Sequence, residues 1–155
     1  EVPLALMGIR ASAMLATAAA DEAGADALWF WQPVFDAGGY LRALDALDAA
    51  ERRSRERYPF RGRGPEAMPD ELAGFVLAPG FREELMAMPG LPETGGRPCV
   101  AVVEDGAPLP EGFTRIGLSA ELSAWTSQVE IQGLIPLRAA AGVVAALAAM
   151  PLKGG

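Results

Sequence analysis

The apolar positions of this chain form short continuous runs that alternate with segments rich in helix-forming residues. Residues 2–7 are a mostly apolar run that ends at Gly8, and residues 27–31 are a second run rich in aromatic side chains. Both are too short for helices, whereas residues 10–20 between them favour a helix. Continuous apolar strands separated by a helix are typical of a parallel sheet covered on both faces. We therefore predict a β–α–β unit in residues 2–31.

The pattern changes between residues 35 and 88. Residues 40–57 carry leucines at helical spacing, and several prolines and glycines follow before a short strand at 72–77 and a short helix at 81–88. We interpret this part as a helical insertion at the surface. Residues 52–63 contain six arginines. They indicate a solvated helix end and loop or, alternatively, a site for an anion or a partner.

The sheet pattern resumes at residues 99–103, the clearest strand in the chain, which is closed by Glu104 and Asp105. Residues 114–118 predict a weaker strand, and the alanine-rich residues 136–150 predict a terminal helix. The fold class is therefore α/β: a partial parallel sheet flanked by helices, in a single domain over residues 1–155.

Composition narrows the classes of function. With 155 residues, 51% of them hydrophobic, the chain has enough apolar material for one packed core. A net charge of −7 disfavours nucleic acid as a partner, because nucleic-acid affinity rests mainly on Lys and Arg. Cys99 is the only cysteine and the chain has no histidine, so we expect no disulfide, metal or cofactor and interpret Cys99 as a buried, inert thiol.

Two further expectations concern location and completeness. The apolar residues 134–152 are interrupted by Pro136, Arg138 and Pro151, so we predict a buried helix rather than a membrane span. No secretion signal is visible, which favours the cytoplasm. Since the chain opens without Met inside a strand-like run, we expect further strands upstream in the natural protein. An incomplete sheet would leave an exposed edge through which copies of the chain could associate.

The segment from Gly8 through Ile9, Arg10 and Ala11 to Ser12 lies between a predicted strand and a predicted helix. This is the setting of the nucleophile elbow, the G-x-Nuc-x-G turn that raises a nucleophile above the sheet of an α/β-hydrolase. The residues depart from the motif, because Arg10 occupies the nucleophile position and Ser12 the position of the last glycine.

Four more segments accompany this turn: LWFWQPV at residues 28–34, GYLR at 39–42, ELAGFVL at 71–77 and WTSQVEI at 125–131. With them the chain resembles the C-terminal part of an α/β-hydrolase, and specifically the exosortase A system-associated hydrolases of the second type. The resemblance implies that residues 35–88 are a lid-like insertion and that the substrate is an ester, a thioester or another acyl compound.

The catalytic triad of that superfamily is excluded in this chain. A serine hydroxyl needs a histidine base, which follows the nucleophile in chain order, and the chain has none. The resemblance places the acid after the strand that follows the lid, where Asp105 is the candidate, although Glu104 and Asp105 are also ordinary turn residues. Ser12 is a candidate catalytic residue or, alternatively, a small residue that lets the helix approach the strand.

Arg10 is the most informative departure. A charge in a tight turn after a buried strand is costly unless it meets an opposite charge. We therefore expect either an anion site for a carboxylate or phosphate, formed with the backbone of Gly8, Ile9 and Ala11, or an ion pair with Glu104 or Asp105. Two hypotheses follow: a hydrolase with an unusual, incomplete site in which Arg10, Ser12 and Asp105 act, or a non-catalytic pseudo-hydrolase that binds an acyl or anionic ligand or a protein partner.

Overall fold

A computed structural model describes residues 2–53, 70–72, 75–88, 90, 93–118 and 137–150. These residues form two compact units. The sheet unit comprises Glu1–Phe35 and Pro89–Gly155, and the inserted unit comprises Asp36–Met88. None of the described helices combines the length and the hydropathy that crossing a membrane requires.

The described elements follow one another in ten segments, which we number in chain order. They are β1 (Ala5–Ile9), α1 (Ser12–Ala18), β2 (Ala27–Trp31), α2 (Ala37–Arg53), β3 (Glu71–Leu72), β4 (Phe75–Val76), α3 (Phe81–Ala87), β5 (Cys99–Glu104), β6 (Phe113–Leu118) and α4 (Leu137–Ala148).

The sheet unit is built on four parallel strands in the order β1-β2-β5-β6. Gly8 on β1 pairs with Phe30 on β2, and Phe30 in turn pairs with Ala101 on β5. The predicted β–α–β unit and the predicted α/β class are thereby confirmed, and β1 lies at one end of the described sheet.

Helices cover both faces of the sheet, which explains why the central strands lack hydrophobic–polar alternation. One face packs Ala13 of α1 against Leu28 and Phe30, and the opposite face packs Val143 and Leu147 of α4 against β5 and β6. Residues 99–103 of β5 are buried without interruption. A strand buried on both faces reads as a continuous apolar run, and this is the pattern from which β5 was predicted.

The inserted unit contains α2, α3 and a two-stranded hairpin. The prediction of one strand at residues 72–77 is wrong, because β3 and β4 pair antiparallel, with Glu71 opposite Val76. Helix α2 begins at Ala37, three residues before the predicted start at Tyr40. The reason is local: the Asp36 carboxylate accepts a hydrogen bond of 2.8 Å from the Gly39 amide, as an N-terminal capping residue does.

Candidate ligand-binding site

The turn between β1 and α1 is sharp and strained at Arg10. Arg10 has a φ of 55°, in the left-handed region that side chains other than glycine rarely occupy. Its backbone is held on both sides: its amide donates to the Trp31 carbonyl at 3.0 Å, and its carbonyl accepts from the Ala13 and Val34 amides, each at 3.1 Å. These bonds impose the unusual conformation, so Arg10 lies at a fixed place above the end of β1.

Gly8 allows the helix to lie close to the strand. A Cβ atom at Gly8 would lie 2.5 Å from the Cα of Ala13 and 2.9 Å from its amide nitrogen. Both are backbone atoms of a fully buried residue, so they cannot move aside easily. The glycine two positions before Arg10 is therefore a requirement of this close approach.

Ser12 closes the turn from the other end. Its hydroxyl donates to the Ile9 carbonyl at 2.8 Å and accepts from the Ile9 amide at 2.7 Å. The Ser12 hydroxyl is thus hydrogen-bonded to the backbone of Ile9. The close approach of α1 to β1 requires Gly8. The other predicted ligand residues lie in the same turn: Ile9 is 44% exposed at the end of β1, and the Ala11 carbonyl accepts from the Met14 amide.

An open cavity of about 300 Å³ lies at the carboxyl ends of β1, β2 and β5. Its polar lining consists of Arg10, Gln32 and Glu104, each of which is the last residue of its strand or the first beyond it. Its apolar lining consists of Pro33, Phe35, Val103, Ala107, Pro108 and Leu109. Open α/β sheets bind ligands at the carboxyl ends of their strands. The cavity therefore lies where a ligand is expected in such a fold.

Gln32 is a site residue that the sequence analysis missed. It follows β2 directly, has a φ of 42° and is only 7% exposed. Its backbone amide donates to the Val102 carbonyl at 2.8 Å, which continues the pairing of β2 with β5 beyond the end of β2. The signal available in the sequence was a polar residue followed by Pro33 directly after an apolar strand.

The loop after β5 forms one wall of the cavity. The Ala107 amide donates to the Glu104 carbonyl at 3.1 Å, and Gly106 has a φ of 81°, as a tight turn with glycine at its third position requires. Arg115 on β6 donates to the Glu104 carbonyl at 2.7 Å and also to the Ala107 carbonyl. The sequence analysis missed Arg115, because an arginine within a strand gives no local indication that it will bond to a neighbouring loop.

Glu104, the last residue of β5, and Asp105, the first residue after it, are both exposed but have different neighbours. Glu104 lines the cavity together with Arg10. The predicted catalytic Asp105 is exposed in the turn, and its Oδ1 lies 3.2 Å from where a Cβ of Gly117 on β6 would be. A cation and a carboxylate thus share one small cavity, and the carboxylate is that of Glu104.

The arginine-rich segment enters the described residues only at its start. Arg52 is 5% exposed, and its Nε donates to Asp48 at 2.6 Å, so for Arg52 the interpretation as a solvated residue is wrong. Arg53 is exposed, and the four arginines at residues 55–63 lie outside the described residues. In the same unit Arg82 donates two hydrogen bonds to Asp45, which raise the pKa of Arg82.

Cys99 is buried, as predicted. Burial raises the pKa of its thiol, although the hydrogen bond with Thr94 and the charge of Arg97 act in the opposite direction. The thiol also donates weakly to the Arg97 carbonyl at 3.4 Å. Because the reactive form of a cysteine is the thiolate, this environment suits a core residue and not a nucleophile.

The comparisons add no relative with which to interpret this geometry: no family model, no curated protein and no solved structure matches the chain. Within the described ranges, no group of three or more acidic or cysteine side chains is placed to hold a metal ion.

Proposed function

We propose that this chain is an α/β-hydrolase-like protein that binds a small acyl carboxylate at the turn after β1, as a pseudo-hydrolase without a Ser-His-Asp triad. The observation that carries the proposal is Arg10, a cationic residue held at a φ of 55° where it lines an apolar-walled cavity. Backbone strain concentrates at binding and catalytic sites, where the surrounding structure over-determines it.

The charge balance of the lining favours a singly charged ligand. An arginine side chain forms paired, charge-assisted hydrogen bonds with a carboxylate. Glu104 lines the same cavity, so a dianionic phosphate would face a repelling carboxylate as well as the attracting Arg10. Of the two anions that the sequence analysis left open, the carboxylate is the better match.

The apolar lining favours a medium-length acyl chain on that carboxylate. Phe35, Val103 and Leu109 provide hydrophobic side chains in the lining of the same cavity. A volume of about 300 Å³ is at the small end of the roughly 300–1,000 Å³ found for ligand pockets. We therefore propose a medium-length acyl chain rather than a long lipid.

The family assignment belongs to the same proposal. Support comes from the strained turn after β1, at the chain position where the resemblance expects the elbow, from the parallel order β1-β2-β5-β6 and from the separate compact unit Asp36–Met88. That unit occupies the chain position of the insertion that the resemblance interprets as a lid. The link to exosortase-associated hydrolases, the cytoplasmic location and self-association through the edge of β1 stay predictions.

Hydrolysis of an ester or thioester is the second candidate. It is favoured by Glu104, since a carboxylate beside a bound ester can act as a general base toward water. It is disfavoured by the lack of histidine in the chain and by the engagement of the Ser12 hydroxyl with the Ile9 backbone.

Calorimetric titration of the chain with octanoate, octanol and octyl phosphate tests the proposal. Octanoate should bind most tightly, and Arg10→Ala should weaken its binding about tenfold or more, because a charge-assisted pair is lost. The matched control is Arg53→Ala, which removes an exposed arginine from the inserted unit and should leave the affinity unchanged. Failure of the unmodified chain to bind octanoate would overturn the proposal.

Hydrolysis of p-nitrophenyl butyrate and p-nitrophenyl octanoate separates the two candidates. The pseudo-hydrolase predicts no turnover above buffer for the unmodified chain. Turnover that is lost in Ser12→Ala or in Glu104→Gln would instead establish the hydrolase. Circular dichroism of each variant shows whether its fold is retained.

A further inference from the structure

Four exposed large apolar side chains lie together along one edge of the sheet, in β1 or just before it. Val2, Leu4, Met7 and Ile9 are between 42% and 90% exposed. Strand β1 pairs with β2 on one side, and no other described strand lies along its other side. Residues 2–9 contain no ionisable side chain, although charged side chains commonly keep edge strands from pairing. This edge therefore has the properties of a strand that pairs with another strand.

The backbone groups of β1 alternate between β2 and the open edge. At the two ends of the β1–β2 pairing, the Leu4 carbonyl and the Arg10 amide are hydrogen-bonded to backbone groups of β2. Because successive residues of a strand direct their amides and carbonyls to opposite sides, the even-numbered residues from 4 to 10 bond toward β2. The amides and carbonyls of Ala5, Met7 and Ile9 therefore point to the open edge.

The chain itself closes both ends of this edge. At Ile9 the Ser12 hydroxyl accepts from the outward amide at 2.7 Å and donates to the outward carbonyl at 2.8 Å, as a neighbouring strand would. At Pro3 the backbone has no amide hydrogen. Between these two ends, Ala5 and Met7 each present a donor and an acceptor.

We infer that β1 pairs antiparallel with β1 of a second copy of the chain, about a two-fold axis at Leu6. In this register Ala5 lies opposite Met7 of the second copy, and each such pair exchanges two hydrogen bonds. Ile9 lies opposite Pro3, so a residue whose backbone is already bonded within its own turn meets a residue that has no amide to donate. The edge is thus complementary to itself, as a two-fold dimer requires.

Charge and side chains favour the same occupant. The net charge of −7 makes two copies repel each other, but self-pairing of β1 brings no like charges together within the strand. Gly8 faces α1, so the alternation of the strand places Ala5, Met7 and Ile9 on the opposite face. There the two copies would form one continuous apolar strip across the junction. The inference does not depend on ligand binding at Arg10.

Sedimentation equilibrium of the chain at micromolar concentrations tests the association, because a single short strand pair forms a small interface. The unmodified chain should form dimers. Met7→Pro should weaken them about tenfold or more, since it removes an outward amide from each copy and leaves the pairing with β2 intact. Met7→Lys should also weaken them, because it places like charges at diagonal positions. The matched control is Val144→Lys, which alters another exposed apolar residue, in α4, and should leave the dimer unchanged.

Two results would overturn the inference: a monomer at every concentration, or Met7 variants that associate as tightly as Val144→Lys does. Circular dichroism shows which variants keep the fold. Met7→Lys leaves the backbone amide in place, so it provides the test if Met7→Pro does not fold.

Cysteine substitutions test the register. Leu6→Cys places two thiols at the two-fold axis, where facing Cα atoms about 4.5–5.5 Å apart allow a disulfide. Leu4→Cys is the control, because Leu4 lies opposite Gly8 and its two copies are about 13 Å apart along the strands. Mild oxidation should cross-link Leu6→Cys but neither Leu4→Cys nor the unmodified chain, whose Cys99 is buried. Cross-linking of Leu4→Cys as readily as Leu6→Cys would overturn this register.

Discussion

The backbone amide of Arg10 donates a hydrogen bond to the carbonyl of Trp31 at 3.0 Å. Arg10 is the first residue beyond the end of β1. The β1–β2 pairing therefore extends into the turn and holds Arg10 at a φ of 55°. In the sequence, Arg10 was notable as a charged residue at the nucleophile position of a motif. In the structure, the backbone that carries its side chain is fixed by these hydrogen bonds.

Replacing Arg10 with glycine should separate stability from binding. Glycine adopts the left-handed conformation without steric cost, so Arg10→Gly should raise the free energy of unfolding by about 1 kcal/mol. The same variant should lose octanoate binding, because the cation is gone. Urea denaturation and calorimetric titration measure the two effects, and a variant that is less stable than the parent would show that the turn is not strained at Arg10.

Replacing Gly8 with alanine should destabilise the sheet unit. The new Cβ would lie 2.5 Å from the Ala13 Cα, and separating α1 from β1 to relieve this contact should cost about 1–3 kcal/mol. The control is Gly142→Ala in α4, where a Cβ meets nothing within 4 Å and should stabilise the helix by about 0.5–1 kcal/mol. Thermal unfolding of both variants measures these opposite shifts. Equal stability of Gly8→Ala and the parent would contradict the close approach.

Replacing Arg115 with alanine should loosen the wall of the cavity. The Glu104 and Ala107 carbonyls lose their side-chain donor, so the turn between them is held by fewer bonds. Octanoate binding should weaken about three- to tenfold, the effect of one or two hydrogen bonds. Thr114→Ala changes a neighbouring exposed residue of β6 and serves as the control. If the two variants bind octanoate equally well, Arg115 does not position this wall.

Cys99 should make stability depend on pH on the alkaline side. Its pKa is raised in the folded state by burial, so the unfolded thiol loses its proton first as the pH rises. The contribution of Cys99 to stability is thus complete below the unfolded pKa of about 8.5 and declines as the pH rises through the folded pKa. Urea denaturation between pH 7 and pH 10 should show a steeper decline for the parent than for Cys99→Ala. The same slope in both proteins would contradict a raised pKa.

Most secondary-structure elements of the sheet unit could be predicted from the sequence because their signals are local. The continuous apolar residues 27–31 and 99–103 indicated strands buried on both faces, and both strands lie where predicted. Local signals were less reliable in the inserted unit. Because glycine is a poor helix former, Gly38 and Gly39 led to a predicted start of α2 at Tyr40, whereas the helix begins at Ala37 after the Asp36 cap. One predicted strand is a hairpin of two strands.

Only part of the candidate site could be predicted from the sequence. Arg10 was singled out because a charge after a buried strand is unusual. Gln32, Glu104 and Arg115 are separated from it by 22 or more positions in the chain, and nothing local relates them to it. The strand order brings Arg10, Gln32 and Glu104 to one edge of the sheet, because parallel strands place their carboxyl ends together.

By itself, the sequence determined the α/β class, the burial of Cys99 and the absence of a histidine-based triad from this chain, since these follow from composition and from local hydrophobic pattern. Only the tertiary structure decided that Arg10 and Gln32 have positive φ values and that both line one cavity with Glu104. The physical reason is that backbone strain is sustained by hydrogen bonds from neighbouring strands, and those bonds exist only after the sheet has formed.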